Sequence, residues 1–372
     1  TSILFYEGST AKVVYGGGNN GNVGTTTSVE VLERSKIADT VYGGGNNGTV
    51  GGFTSVRVDD SDVENVVFGG GKGATATVQG TSIAFQNGST TEYIYGGGDQ
   101  GRVEGSTASQ TTVIVDASTV GKNVFAGGNG ASDRTTKGSV TGNTNLIIRN
   151  NATIGDGNQA LENGEAAFDI YGDPIYNGNA FGGGRGLTAT VTGDTNVIVD
   201  SSSVKYNIYG GGDNGDIVGN TTVRLTNGTV ESSAFAAGNG IPDDKHENHI
   251  ARVHENSHII LEGTTTVGKH VFGSGNAAKT GQESSTTSKA IVDIAGGIIG
   301  KSVYGGANSS LVNGDTVTNI GVKAIDRYYG TAQGYQQDDI LINGTIFGGG
   351  ESMKVGVEGF DFFSISVTGT TY

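Results

Sequence analysis

Short β-branched runs with strict alternation recur along the whole chain. Thr54-Ser55-Val56-Arg57-Val58, Thr111-Thr112-Val113-Ile114-Val115 and Thr195-Asn196-Val197-Ile198-Val199 each repeat apolar and polar positions with a period of two. Asn-Gly, Asp-Ser or Gly-Thr turns close them. Two shorter pieces accompany each run. One ends in an aromatic residue, as in Val41-Tyr42-Gly43, Val124-Phe125 and Ile208-Tyr209. The other is brief and turn-bounded, as in Thr49-Val50-Gly51 or Arg102-Val103-Glu104-Gly105. No stretch carries a 3.6-residue apolar period, so the elements expected are strands alone.

These pieces repeat. An aromatic residue followed by a small-residue triplet occurs at Tyr15, Tyr42, Phe68, Tyr95, Phe125, Phe181, Tyr209, Phe235, Phe272, Tyr304 and Phe347. Successive anchors lie 27, 26, 27, 30, 56, 28, 26, 37, 32 and 43 residues apart. The 56 holds only one coil's worth of strand pattern, so it reads as one coil plus an insertion. A base period near 27 with tolerated insertions describes stacked coils. The fold class expected is all-β: a parallel β-helix (β-solenoid) of about eleven to twelve coils, each of ~27 residues with three short strands. It should form one domain over residues 1–372 and a rod roughly 55 Å long. Insertions fall near 131–138, 156–178, 241–250, 277–288 and 316–338. The first, third and fourth each follow a Gly triplet and precede the brief turn-bounded strand, which predicts a shared corner.

Composition sharpens the picture. Gly is 68 of 372 residues and Pro only 2, while apolar residues reach 34%. A narrow coil interior filled by Val, Ile and Ala ladders needs little apolar mass, because each coil's backbone pairs with its neighbours. The Gly triplet, repeated in register, should mark a tight bend or a flat face where another backbone comes close. The residue after it is always polar (Asn19, Asn46, Lys72, Asp99, Asn129, Arg185, Asp213, Asn239, Asn276, Asn308, Glu351), which suggests an Asn-rich corner ladder in turn or left-handed geometry. There is no Cys, which removes disulfides and thiolate chemistry. A net charge of −15 argues against nucleic acid, and no apolar run is long enough for membrane insertion. The chain opens and closes in the long strand of the repeat. Either it is an excerpt of a longer solenoid or its coil ends meet other copies.

Candidate chemistry is sparse. Gly-x-Gly-x-x-Gly occurs four times, at Gly16, Gly43, Gly96 and Gly210, but no helix follows to receive a pyrophosphate. Gly211-Gly212-Asp213-Asn214-Gly215-Asp216 partly resembles a calcium nonapeptide, yet sister repeats place Asn22, Thr49 or Arg102 where the Asp should stand. No cofactor is expected; loop-bound calcium stays open. His246, His249, His254 and His258 cluster near Asp243, Asp244, Glu247 and Glu255. The solvated-loop reading is the stronger one, with His254 and His258 at outward strand positions and His246 and His249 left as the metal candidates. Glycoside cleavage would need two carboxylates in a groove. The Asp59, Asp60 and Asp62 group looks like an ordinary turn, and no carboxylate–Arg–Lys cluster departs from the repeat. No catalytic residues are assigned and no enzyme is expected.

Departures from the repeat are the better pointers. The two longer insertions carry Tyr171, Asp173, Tyr176, Arg327, Tyr328, Tyr329 and Tyr335, a composition suited to glycan or protein contact. The aromatic anchors offer a second surface. In Val120-x-x-x-Val124-Phe125 the aliphatics are an even number apart, so both face inward and the aromatic faces outward. An exposed aromatic–Gly stripe carrying Tyr15, Tyr42, Phe68, Tyr95, Tyr209 and Tyr304 would favour packing against copies of the same chain.

The combination of Tyr-Gly-Gly-Gly, Asn-Gly turns and Thr-x-Val-x-Val strands without Cys resembles the Gly-rich β-solenoid regions of large bacterial surface proteins, such as adhesins and autotransporter passengers. That resemblance is architectural and spans essentially the whole chain. It implies an extracellular or cell-surface structural and adhesive rod, with host or matrix glycan or protein as partner. The alternatives are a self-assembling subunit of an extracellular filament or sheath, and a polysaccharide-binding or -cleaving β-helix protein.

Overall fold

In the computed structural model each long alternating run lies parallel to its equivalent one coil away. The structure describes residues 1–106, 110–131, 137–162, 165–168, 174–241, 251–282, 287–321 and 339–351, and the backbone of 363–367. Twelve long strands, from Ser2–Phe5 and Thr27–Leu32 through Phe53–Asp59 to Gly314–Ile320 and Phe363–Val367, form one parallel sheet. The fold is therefore the expected all-β parallel β-solenoid, and no helix occurs among the described residues. Register follows side-chain chemistry. Thr27, Val29 and Val31 stand beside Thr54, Val56 and Val58, and these beside Thr81, Ile83 and Phe85. A slip of one residue would turn Ser55, Arg57 and Asp59 inward, so burial fixes the pairing.

The strands that end in the aromatic anchors form the facing sheet. Lys36–Tyr42 pairs with Asp62–Val63 and Val66–Phe68, with Tyr42 opposite Phe68 and Phe68 opposite Tyr95. Strand Thr119–Phe125 bulges between Val120 and Asn123. One coil further on, its partners Thr153–Ile154 and Ala180–Phe181 are separate strands, and the 156–178 insertion leaves from that gap. The brief turn-bounded strand of each coil is shorter than its sequence suggests. It is a single-residue bridge, running Val23–Val50, Val78–Val103–Val140–Val191–Ile217–Val253–Thr280–Val312. Gly and turn residues on both sides leave one inward side chain to pair.

The interior has two compartments. The larger is filled by pairs such as Val56 and Val58 facing Val63 and Val67, all without solvent contact. The smaller is a column made of Val50, Val78, Val103, Val140, Val191, Ile217 and Val253. A polar seam lies along the inward row that separates them. Thr27, Thr54 and Thr81 donate their hydroxyls to the carbonyls of Gly43, Gly69 and Gly96 at 2.6 Å, and Thr195, Thr221 and Thr316 do the same to Gly210, Ala236 and Gly348 at 2.5–2.6 Å. In these coils the first carbonyl of the triplet points into the coil, and the buried hydroxyl opposite it satisfies a group that would otherwise be costly; the row is interrupted at Thr111, whose hydroxyl makes no such bond, and at Ala290, which has none to offer. The triplet itself answers to close stacking: a Cβ on Gly44 would stand 2.7 Å from the Gly71 amide nitrogen.

The insertions do not all share one corner. Thr280 sits in the bridge column, so the insert that follows it leaves after the brief strand and before Ser288–Ile294. Those near 131–138 and 241–250 leave before that column, between Asn129 and Val140 and between Asn239 and Val253. The expectation of a common edge is thus corrected for 277–288, because Ala277 and Thr280 pair with the neighbouring coils. Asp133, Asp244 and Glu283 lie outside the described residues. The 316–338 boundary also moves, because Thr316–Ile320 belong to the long-strand sheet.

Candidate ligand groove along the aromatic ladder

The eleven anchors form one column of rings. Successive centroids are 4.7–5.1 Å apart and successive planes lie within 12° of parallel, from Tyr15–Tyr42 to Tyr304–Phe347. Their spacing matches the ~4.8 Å between strands, so the backbone sets the stack and the stack reinforces the backbone. The rings point away from the aliphatic core, as alternation requires, since Val41 belongs to that core and Tyr42 to a separate cluster. Nine of the eleven are buried, Tyr15 is half-buried and the last, Phe347, is 42% exposed. Tyr42, Phe68, Tyr95, Tyr209 and Tyr304 are buried, each covered above and below by the next ring, and only Tyr15 of the six expected contact residues is partly open. The exposed aromatic stripe expected from sequence is therefore corrected: alternation gives the side on which a ring lies, but not what its neighbours do to it.

With the faces hidden, the column presents ring edges between two rims of polar residues. One rim is the polar row after the Gly triplet. Asn46 donates to Asn19 at 2.9 Å, Asn129 to Asp99 at 3.0 Å, Asn239 to Asp213 at 3.0 Å, Asn276 to Asn239 at 2.9 Å and Asn308 to Asn276 at 2.8 Å. The left-handed residue is the one after this row, as at Asn20 (φ 57°) and Asn47 (φ 56°), so the ladder residues themselves turn one step earlier than expected. Ring hydroxyls reach the rims, where Asn207 donates to the Tyr209 hydroxyl at 3.1 Å. Tyr and Phe exchange freely here because the ring is buried while its para position lies at the polar boundary. Burial, with the Asp99 carboxylate nearby, raises the Tyr42 phenol, and burial pushes Tyr95 up to about 12 against the opposing Arg185.

The other rim carries charge. Lys36 pairs with Glu64 at 2.7 Å, Lys122 with Glu92 at 2.8 Å and Lys205 with Glu231 at 2.7 Å, each between adjacent coils. Further along, Lys269 and Lys301 occupy neighbouring positions in one row, the Lys301 amide donating to the Lys269 carbonyl. They line a cavity of about 230 Å³ with His270, Asn276, Asn308 and Glu351. The His270 ring stands 5.9 Å from Phe272 and 5.7 Å from Tyr304, and its Nδ1 accepts the Ser302 amide at 3.3 Å. Burial lowers its pKa, and Lys301 and Lys269 act in the same direction against Glu351. Sequence reading missed this cavity, although Lys269 and Lys301 hold equivalent places before Val271-Phe272 and Val303-Tyr304.

The remaining candidates separate. Tyr176 is 37% exposed and packs at 5.9 Å against Tyr206. Tyr171, Asp173, Arg327, Tyr328, Tyr329, Tyr335, His246 and His249 lie outside the described residues. His258 is not solvated: it is buried on the outward side of the long-strand sheet, 2.8 Å from Asp293, which also accepts from Asn319 at 2.7 Å. Arg224 donates to both carboxylate oxygens of the buried Glu262, at 2.8 and 2.9 Å. These clusters do depart from the repeat, contrary to expectation, because their partners come from different coils and no single period reveals them. Among the described residues, no group of three or more His, Asp or Glu could hold a metal ion. No protein-family model matches the chain, and no curated protein or solved structure matches it.

Proposed function

We propose that this chain is the rigid, extracellular structural and adhesive rod of a surface or secreted protein. The observation that carries this reading is the continuity of its internal ladders. The long-strand sheet, the ring column and the threonine seam run through the coils with few interruptions, so the coils behave as one stiff body. A rod of this kind holds lateral loops and a polar groove at a distance from whatever anchors it. Antibodies raised against the purified chain should label intact source cells or their secreted matrix, and beads coated with it should adhere to glycan- or matrix-coated surfaces. Labelling seen only after permeabilisation would refute the location, and beads no stickier than uncoated ones would refute the adhesive role. The filament alternative loses its lateral argument with the burial of the rings; polymers in electron micrographs of the purified chain would restore it.

A further inference from the structure

We infer that the outer face of the 156–178 insertion docks a cationic amphipathic peptide segment of another protein. Leu161, 70% exposed, and Phe168, 57% exposed, are the two most exposed large apolar side chains among the described residues, and they share one face. Leu161–Glu162 and Glu165–Ala166 pair antiparallel with Leu161 opposite Ala166. Phe168, two residues beyond Ala166, returns to the side of Leu161 as its diagonal neighbour. Phe168 bridges to Pro174 and Gln159 to Tyr176, so Tyr176 ends the same face, against Tyr206 of the rod. The opposite face holds Ala160, Ala167 and Ile175, which are buried or half-buried. A single exposed apolar side chain is ordinary; the two extremes side by side on a lateral projection mark a contact surface.

The described parts of the projection are held in place. The Ala167 amide donates to the Ala160 carbonyl at 2.9 Å, that of Ala160 to Ile175 at 2.7 Å, and that of Ile175 to Ala167 at 2.9 Å, a closed cycle through three segments. At the base, Asp156 accepts from the Asn158 amide at 2.9 Å and from the Asn177 side chain at 3.3 Å, and Asn123 accepts from the Asn179 amide at 2.8 Å. A face tied down in this way loses little freedom on docking. Charge then selects the occupant. The insertion carries Asp156, Glu162, Glu165, Asp169 and Asp173, with neither Lys nor Arg. A second copy on the same face would set like charges against each other, and an anionic lipid surface or nucleic acid meets the same repulsion. A segment with Lys or Arg beside apolar side chains would bury Leu161 and Phe168 and bring cations to the exposed Glu165. Such docking gives the adhesive part of the rod reading its partner and rests on that part alone.

Fluorescence anisotropy of the purified chain with a labelled helical peptide, Lys on one side and Leu on the other, tests it beside the same peptide with Glu for Lys and with Ser for Leu. The Lys–Leu peptide should bind at least about tenfold more tightly than either relative, with affinity falling as salt is raised. Leu161→Ser combined with Phe168→Ser should weaken that binding about tenfold, and Glu165→Lys should weaken it too. Leu4→Ser, 54% exposed elsewhere on the rod, should leave it unchanged. Circular dichroism of the variants would show the fold intact. No binding of the Lys–Leu peptide, equal binding of either relative, or undiminished binding by the double variant would overturn the inference. So would sedimentation showing dimers that the double variant dissolves, because the face would then belong to a second copy. Beads that adhere to matrix while the peptide fails to bind would leave the rod reading standing and remove this face from it.

Discussion

The outward side of the long-strand sheet differs between the two halves of the rod, although the inward side is alike. Around Phe53–Asp59 the outward Ser55, Arg57 and Asp59 are exposed or half-buried, and only inward residues are sealed. At Ser257–Glu262 all six residues are buried, the outward His258, Ile260 and Glu262 among them. One coil on, Ile291 and Asp293 continue the same outward rows and are buried too. The inward side cannot vary, since each residue stacks on its equivalent and a misfit is felt by both neighbours. The outward side answers to no such rule. It has acquired a buried ionic and aliphatic patch in one half and kept a solvated surface in the other.

Breaking that patch should give the largest effect. Asp293→Ala strands His258 and Asn319 in a buried setting and should cost about 3–5 kcal/mol in denaturant unfolding, against at most about 1 kcal/mol for Asp59→Ala. Equal costs would abolish the distinction between the halves. Ile260→Ala should cost about 2–5 kcal/mol, whereas Ile198→Ala, in the same row but half-buried, should cost about 1 kcal/mol. The inward seam supplies the control: Thr54→Val and Thr221→Val should each cost about 1–3 kcal/mol, because each leaves a buried carbonyl unsatisfied. A large inequality between those two would show that the inward sides are not equivalent after all.

The smallest effect is the pH dependence contributed by the carboxylates of the solvated half. Partial burial opposes ionisation of Asp59, yet hydrogen bonds from Asn87, Gln86 and Arg57 hold its carboxyl below the usual range; Asn150 and Arg149 do the same for Asp116. A carboxyl lowered in the folded state adds stability at pH above its ordinary value of about 3.9, and that contribution fades as pH falls through the lower folded value. The denaturation midpoint should therefore drop between pH 5 and about pH 3, and Asp59→Asn should flatten part of that slope. An unchanged slope in the variant would remove Asp59 from the account.

Much of the fold was legible because stacking repeats it. Thr54, Val56 and Val58 announce an inward face, and twelve versions of that face leave little choice of architecture. The seam was legible in principle: Thr54 shares its parity with Val56, so its hydroxyl had to be buried and had to find an acceptor. What escaped is what depends on coils meeting. The rings could be assigned a side, but their burial comes from the neighbouring rings. His258 and Asp293 are 35 residues apart and touch only because of the coil length between them. Lys269 and Lys301 look like two unrelated surface lysines until the 32-residue step that places them side by side is known.

The threonine seam also bears on how such a chain can change length through evolution. Thr54 bonds to Gly69, and Thr195 to Gly210, fifteen residues on and inside the same coil. Most turns of the solenoid thus close their own internal polar contact before they meet a neighbour. Duplicating or deleting one complete repeat of the gene carries hydroxyl and carbonyl together and rejoins like to like. A partial duplication separates them and shifts every ring below it off the column. Gain and loss by whole units is the cheap route, and extra residues within a unit are tolerated where the present insertions leave the chain, at the corners and the bulge.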